Sequence, residues 1–170
     1  MTDPVSKETM IRIENLLHSR PKANVLDLRM GTSSITINTP PHKYDYIKEK
    51  DHKTTTETLG FRVTAYIIKD KEGKIIEKEV KPHGKVLAEH IPGILRRVLS
   101  GNENRDINKD ALNFLLRRTS ELIDYFENHN SRSITGSSVL IIIDNVSKSY
   151  EMKIIDLSHF QDLPDTKQRD

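Results

Sequence analysis

The chain has no cysteine, and aromatic residues make up only 5% of it. The first absence excludes disulfides, thiolate metal sites and a cysteine nucleophile, and it suits the cytosol or nucleus. The second leaves too few rings for a base-stacking platform, which counts against single-stranded nucleic acid as a partner. Charge of one sign is missing too. Lysine and arginine total 27 and aspartate and glutamate 25, a net of +2, and the two signs are interleaved. A balance that close does not by itself argue for DNA, RNA or a lipid surface. The longest clean apolar run, Val139 to Ile143, falls far short of the ~20 residues of a membrane span. Met1 to Glu8 has no basic stretch leading into an apolar one, so it does not read as a signal peptide. Neither G-x-x-x-x-G-K-[ST] nor H-E-x-x-H occurs, which leaves a P-loop enzyme and a zinc protease unsupported.

What is present is enough for one domain with a real core. The chain has 170 residues, 35% of them hydrophobic. Residues 10–17 read as a short strand entering a turn, and 24–30 as a second strand. Pro40-Pro41 breaks a polar stretch over 32–57 and precedes a helix on which Lys43, Tyr46, Ile47 and Lys50 share a face. Residues 58–68 and 74–80 form a hairpin around Asp70-Lys71-Glu72-Gly73. Residues 86–100 carry helical periodicity that Pro92-Gly93 disturbs at its start. The clearest helix is 108–128, capped by Asn108, with Leu112, Leu115, Leu116, Thr119, Leu122, Ile123 and Phe126 as its core stripe. A second hairpin joins 137–144 to 149–157, and the ends, 1–9 and 160–170, read as frayed. Hairpins mixed with amphipathic helices, without βαβ alternation, predict an α+β fold.

Two distant segments carry the chemistry. Val25-Leu26-Asp27-Leu28-Arg29-Met30-Gly31 puts an aspartate on a strand and a cation two residues on. Lys153-Ile154-Ile155-Asp156-Leu157-Ser158-His159 ends a strand on an aspartate, with a histidine three residues on. A carboxylate for Mg²⁺ and a cation beside the transferred group are the main parts phosphoryl transfer needs. Lys43, Lys48, Lys50 and Lys53 add a basic cluster, read either as a solvated helix face or as contacts for a polyanion.

These residues resemble the inositol polyphosphate kinase family. Its signature P-x-x-x-D-x-K-x-G is similar to Ala23 through Asp27 and Arg29 to Gly31. Its T-x-L-G-x-R strand resembles Thr56-Glu57-Thr58-Leu59-Gly60-Phe61-Arg62. Its S-S-L-L-x-x-Y-D strand resembles Ser137 to Asp144, and its I-D-F-A-H resembles Ile155-Asp156-Leu157-Ser158-His159. The four motifs stand in the family's order across residues 10–160, and the run Leu26 to Thr32 most resembles the inositol hexakisphosphate kinase branch.

The resemblance implies a protein-kinase and ATP-grasp-related fold, mostly the C-lobe, in a single domain over 1–170. It also implies ATP and Mg²⁺ as cofactors and an inositol polyphosphate as substrate. Glu14 and Leu16 then sit where the family's hinge contacts adenine, and Asp27 where it contacts the ribose. Arg29 faces the transferred phosphate and the inositol phosphate. Lys43 and Lys50 bind substrate phosphates, Asp156 is the Mg²⁺ ligand, and His159 lies on the substrate side. Asp27, Arg29 and Asp156 form the catalytic set. The chain departs from the pattern at Ala23 for proline and at Arg29 for lysine, a planar fork in place of a compact ammonium. Ile143 replaces a tyrosine, and Leu157 and Ser158 replace phenylalanine and alanine. The strand-rich N-lobe and a closing C-terminal segment are expected to be largely missing. Two outcomes are therefore open: a kinase moving the γ-phosphate of ATP to an inositol polyphosphate, or an inactive relative that binds inositol phosphates or nucleotide.

Overall fold

The structure, a computed structural model, describes residues 13–36, 38–82, 86–100, 106–130, 132–157 and 159–162, the last three without side-chain detail. Its centre is strand β1, Asn24–Met30, hydrogen-bonded on both sides. On one side lies the hairpin β2, Phe61–Lys69, and β3, Ile75–Val80. On the other lies the hairpin of β5, Ser138–Asp144, and β6, Ser149–Ile155. The order is β3-β2-β1-β5-β6 and every pair is antiparallel. The α+β expectation holds, and so do both hairpins. Turn chemistry explains the second: Asp144 is buried and its Oδ1 accepts from Val146 N and Ser147 N, which folds the chain back.

One face of the sheet builds the core. Leu26 on β1, Val63, Tyr66 and Ile68 on β2, and Val139, Ile141 and Ile143 on β5 point to the same side. There they meet α3, Ile91–Leu99, and α4, Lys109–Asp124. Ile94, Val98, Leu99, Ala111 and Leu115 fill the layer between. Burying each large aliphatic contributes about 1.5–3 kcal/mol. Pro92 falls in the first turn of α3, where it starts the helix; a missing N–H costs nothing there. Asn24 fixes the layers, donating to Val98 O at 3.0 Å and accepting from Lys69 N at 2.8 Å.

Asn108 caps α4 as its position suggests, accepting from Asp110 N and Ala111 N. Its amide also donates to Asn145 Oδ1 and Tyr150 OH, so the cap ties the helix to the β5–β6 hairpin. Asn108→Ala is expected to lower stability by about 1–2 kcal/mol, read as a shift in urea midpoint at constant slope.

Four expectations change. The strand over 10–17 is not formed by its described part. Asn15 Oδ1 accepts from Leu17 N, and residues 16–19 make a turn. β2 begins at Phe61, because Thr56–Leu59 close into a helical turn, α2, that ends on Gly60 at φ +71. The stripe of 108–128 is only partly core: Leu115 is buried, whereas Leu116 is 61% and Ile123 51% exposed. The helix presents Ala111 and Leu115 inward and widens into a π-helical turn over Tyr125–His129. Finally, Phe160–Asp162 is not frayed: it forms β7, paired antiparallel with β4, Arg132–Ile134. The expected frayed stretches 1–9 and 163–170 lie outside the described residues.

Candidate active site

Asp27 and Arg29 alternate with Leu26 and Leu28, so while the leucines face the core these two face the other side. Register then decides what stands beside them. Arg29 lies opposite Ser138 on β5 and opposite Arg62 on β2. Ser138 pairs with Ile155 on β6, which brings the following residue, Asp156, to the same end of the sheet. Asp156 adopts φ +61, a left-handed conformation aspartate tolerates better than most residues.

β2 contains a bulge here. Val63 pairs with Leu28 and Ala65 with Asp27, leaving Thr64 as the additional residue. Thr64 Oγ1 donates to Asp27 O at 3.1 Å, and Thr64 O accepts from Lys81 N at 2.8 Å. That bond holds Lys81, itself at φ +52, at the end of β3. The outcome is a cleft of about 380 Å³ lined by Asp27, Arg29, Lys50, Arg62, Lys81 and Asp156, together with Tyr46, Thr54, Thr64 and Ser138.

Helix α1, Tyr44–His52, delivers Lys50. A buried carboxylate sets its depth: Asp51 accepts from Ser34 N at 2.5 Å and Ser34 Oγ at 2.6 Å. The Arg62 guanidinium donates to Asp51, to Ser34 Oγ and to Thr56 Oγ1, locking α1 and α2 onto β2.

Two guanidinium groups on adjacent strands, with an ammonium above them, repel one another. The charges register this. Burial first, then Arg62 and Arg29 with Asp51 opposing, hold Lys50 below the usual lysine range. Burial first, then Arg29, lower Arg62, again against Asp51. An anion would relieve that repulsion. Polar atoms in and beside the cleft are also left over: Asp27 Oδ1, Arg29 Nε and His159 Nδ1 are buried without a hydrogen-bond partner among the described residues. Isolated groups of that kind are costly, and they cluster where a ligand supplies the missing partner.

Lys50 gives a pH test. Protonated Lys50 is disfavoured in the free protein, so apo stability rises with pH from its lowered value up to the ordinary lysine range. Anion affinity falls over the same window, as the ammonium is lost. We expect the polyphosphate affinity of Lys50→Arg to exceed that of wild type increasingly as pH rises toward the ordinary lysine range, read by titration calorimetry with inorganic tripolyphosphate.

The expected site residues separate into two groups. Asp27, Arg29, Lys50 and Asp156 come together in the cleft, and His159 lies close by, its ring near Gly136 against which Arg29 packs. Lys43 does not join them. It stands exposed at the end of the 3₁₀ turn Pro41–Lys43, whose tighter winding breaks the phase with Lys50. Glu14 and Leu16 lie before and within the turn at residues 16–19, which Arg20 ties to Ser149 and Glu151; they do not line the cleft. Arg62 and Lys81 were not foreseen as site residues. Arg62 had a legible signal, a charged residue at the start of an apolar strand; Lys81 had none, since its place depends on the bulge.

The residues fit a divalent cation of the Mg²⁺ kind. Asp27 and Asp156 offer two carboxylates to one cleft, and Asp27 Oδ1 has no partner among the described residues. Among the described residues no three ligating side chains cluster. Mg²⁺ needs only one or two carboxylates when phosphates and water complete its shell.

Comparison with known proteins identifies the family. The inositol polyphosphate kinase family model matches residues 10–170, and the chain belongs to that family. It is 26% identical to inositol polyphosphate multikinase alpha of Arabidopsis thaliana, over 90% of this chain and 60% of the relative. It is 23% identical to the beta form from the same plant, over 95% of this chain and 61% of the relative. The chain thus spans about three fifths of the length of the curated relatives it matches. Among solved structures it is similar to an inositol phosphate multikinase studied by structural and protein-engineering work, at a TM-score of 0.77 and 26% identity, covering 91% of this chain and 76% of that one. It shares its fold with the multikinase Ipk2 of S. cerevisiae, solved with ADP and Mn²⁺, at a TM-score of 0.70 and 17% identity, covering 89% of this chain and 73% of that one.

Proposed function

We propose that this chain is the acceptor-binding and metal-binding part of a kinase that moves the γ-phosphate of ATP to an inositol polyphosphate. The observation that carries the reading is the cross-strand pair Arg29–Arg62, joined by Lys50 and Lys81 and set against Asp27 and Asp156 in one cleft. Cations packed this closely suit an acceptor bearing several phosphates, and the opposed carboxylates suit a metal–nucleotide. Asp156, aided by Asp27, would hold Mg²⁺, which when bound neutralises charge on the nucleotide phosphates. Arg29 stabilises charge developing on the transferred group. Lys50, Arg62 and Lys81 orient the acceptor, whose own hydroxyl or phosphate oxygen attacks, so no protein nucleophile takes part. His159 is assigned to the acceptor side. Inositol hexakisphosphate, giving a pyrophosphate, is the acceptor the Leu26–Thr32 run favours.

The placement of Glu14 and Leu16 away from the cleft favours a second reading, a binder of inositol phosphates or nucleotide without turnover. One experiment separates them. The purified chain is incubated with labelled ATP, Mg²⁺ and a panel of inositol phosphates, and products are resolved by anion exchange. Label entering one inositol phosphate supports the kinase. Saturable binding of an inositol phosphate with no label transferred supports the second reading.

A further inference from the structure

The Arg29 guanidinium lies against a glycine. Gly136 is buried, at φ +77, just before Ser137, whose carbonyl accepts from Met30 N at 2.9 Å. A Cβ on Gly136 would stand 2.7 Å from Arg29 Nη2 and 3.5 Å from its Cζ, with His159 Cδ2 at 3.8 Å. The first distance is shorter than any stable carbon–nitrogen contact. The backbone on both sides is fixed. Thr135 N donates to His159 O at 2.9 Å, and Ser138 is in register with Arg29. Any side chain at this position therefore meets the guanidinium, which must shift, and also strains the backbone at its positive φ.

We infer that Gly136 is a positioning residue for Arg29. It supplies the space the planar fork needs beneath the cleft, and it keeps Arg29 and His159 adjacent. A lysine ammonium, compact and without the planar fork, would make no such demand, so Gly136 and Arg29 act as a pair. The inference rests on the kinase reading only for its functional readout; the contact itself is independent of it.

The test is a double-mutant cycle of Gly136→Ala with Arg29→Lys, read three ways. Calorimetry with inositol hexakisphosphate should show Gly136→Ala weakening binding about 10-fold when Arg29 is present, and less than about twofold in the Arg29→Lys background. Thermal denaturation should show the same loss in both backgrounds, because the cost of placing alanine at positive φ does not depend on residue 29. The NMR resonance of the Arg29 Nε–H, assigned by its disappearance in Arg29→Lys, should shift and exchange faster with solvent in Gly136→Ala. An equal loss of binding in both backgrounds would overturn the inference, as would an Nε–H resonance unchanged by Gly136→Ala. If the wild-type chain bound no inositol phosphate, the proposed function would fall, and the resonance would still decide the role of Gly136.

Discussion

Asp156→Asn should abolish most phosphoryl transfer while leaving the fold untouched. Asp156 is exposed, follows the last residue of β6, and among the described residues makes no hydrogen bond that the sheet depends on. Asparagine has nearly the same shape and tolerates the same left-handed φ. The substitution therefore removes one thing, a negative charge beside Asp27 in a cleft otherwise rich in cations. Loss of a group that acts mainly as the transition state forms costs roughly 10²–10³-fold in kcat, and we expect a loss of that order with labelled ATP and inositol hexakisphosphate. Stability should change by less than about 0.5 kcal/mol, a shift of roughly 1–2 °C in Tm. The Km for the inositol phosphate should hardly move, because Lys50, Arg62 and Lys81 remain. A kcat within about threefold of wild type would remove Asp156 from the metal site and with it the central assignment.

Asp51→Ala should be the most destabilising single change in the cleft's surroundings. Its side chain is 2% exposed, that of its partner Arg62 13%. Asp51 opposes the repulsion Arg62 receives from Arg29, and it also accepts both bonds from Ser34. Removing it strands a largely buried guanidinium among cations and leaves a backbone N–H unpaired. Breaking a buried pair from one side costs about 3–5 kcal/mol, and chemical denaturation should show a loss in that range. Arg62→Ala in the same chain should recover part of it, since the stranded charge is then gone. A loss below about 1 kcal/mol would mean that water replaces the carboxylate, and that α1 is held by something other than this network.

Local pattern carried the fold where each element announces itself. β1 alternates, each hairpin sets two β-rich runs about a turn, and Asn108 precedes an unbroken helical period. It failed where the deciding contact is remote. Three-residue strands such as Arg132–Ile134 and Phe160–Asp162 are too short to show alternation, and each exists only because the other lies beside it. The apolar stripe of α4 is wider than the face the sheet covers, so periodicity could not say that Leu115 is in and Leu116 out. The site divides in the same way. Asp27, Arg29 and Asp156 were legible because chemistry-bearing residues interrupt apolar strands. Lys43 and Lys50 looked equivalent on an ideal helix, and the 3₁₀ turn separates them. Lys81 depends on the end of one strand meeting a bulge in the next, which no local window contains.

The bulge at Thr64 reaches further than the one contact it makes. In a regular strand Arg62 and Tyr66, four apart, would share a face; here Arg62 lines the cleft and Tyr66 lies in the core under α3. β2 is in effect two short strands in series, joined by a change of phase. Before the break Arg62 turns to the cleft while Val63 stays in the core; after it Tyr66 and Ile68 carry the core face. The strand can thus lend a cation to the cleft without taking a residue from the core, so long as the chain keeps the residue that sets the two halves out of step.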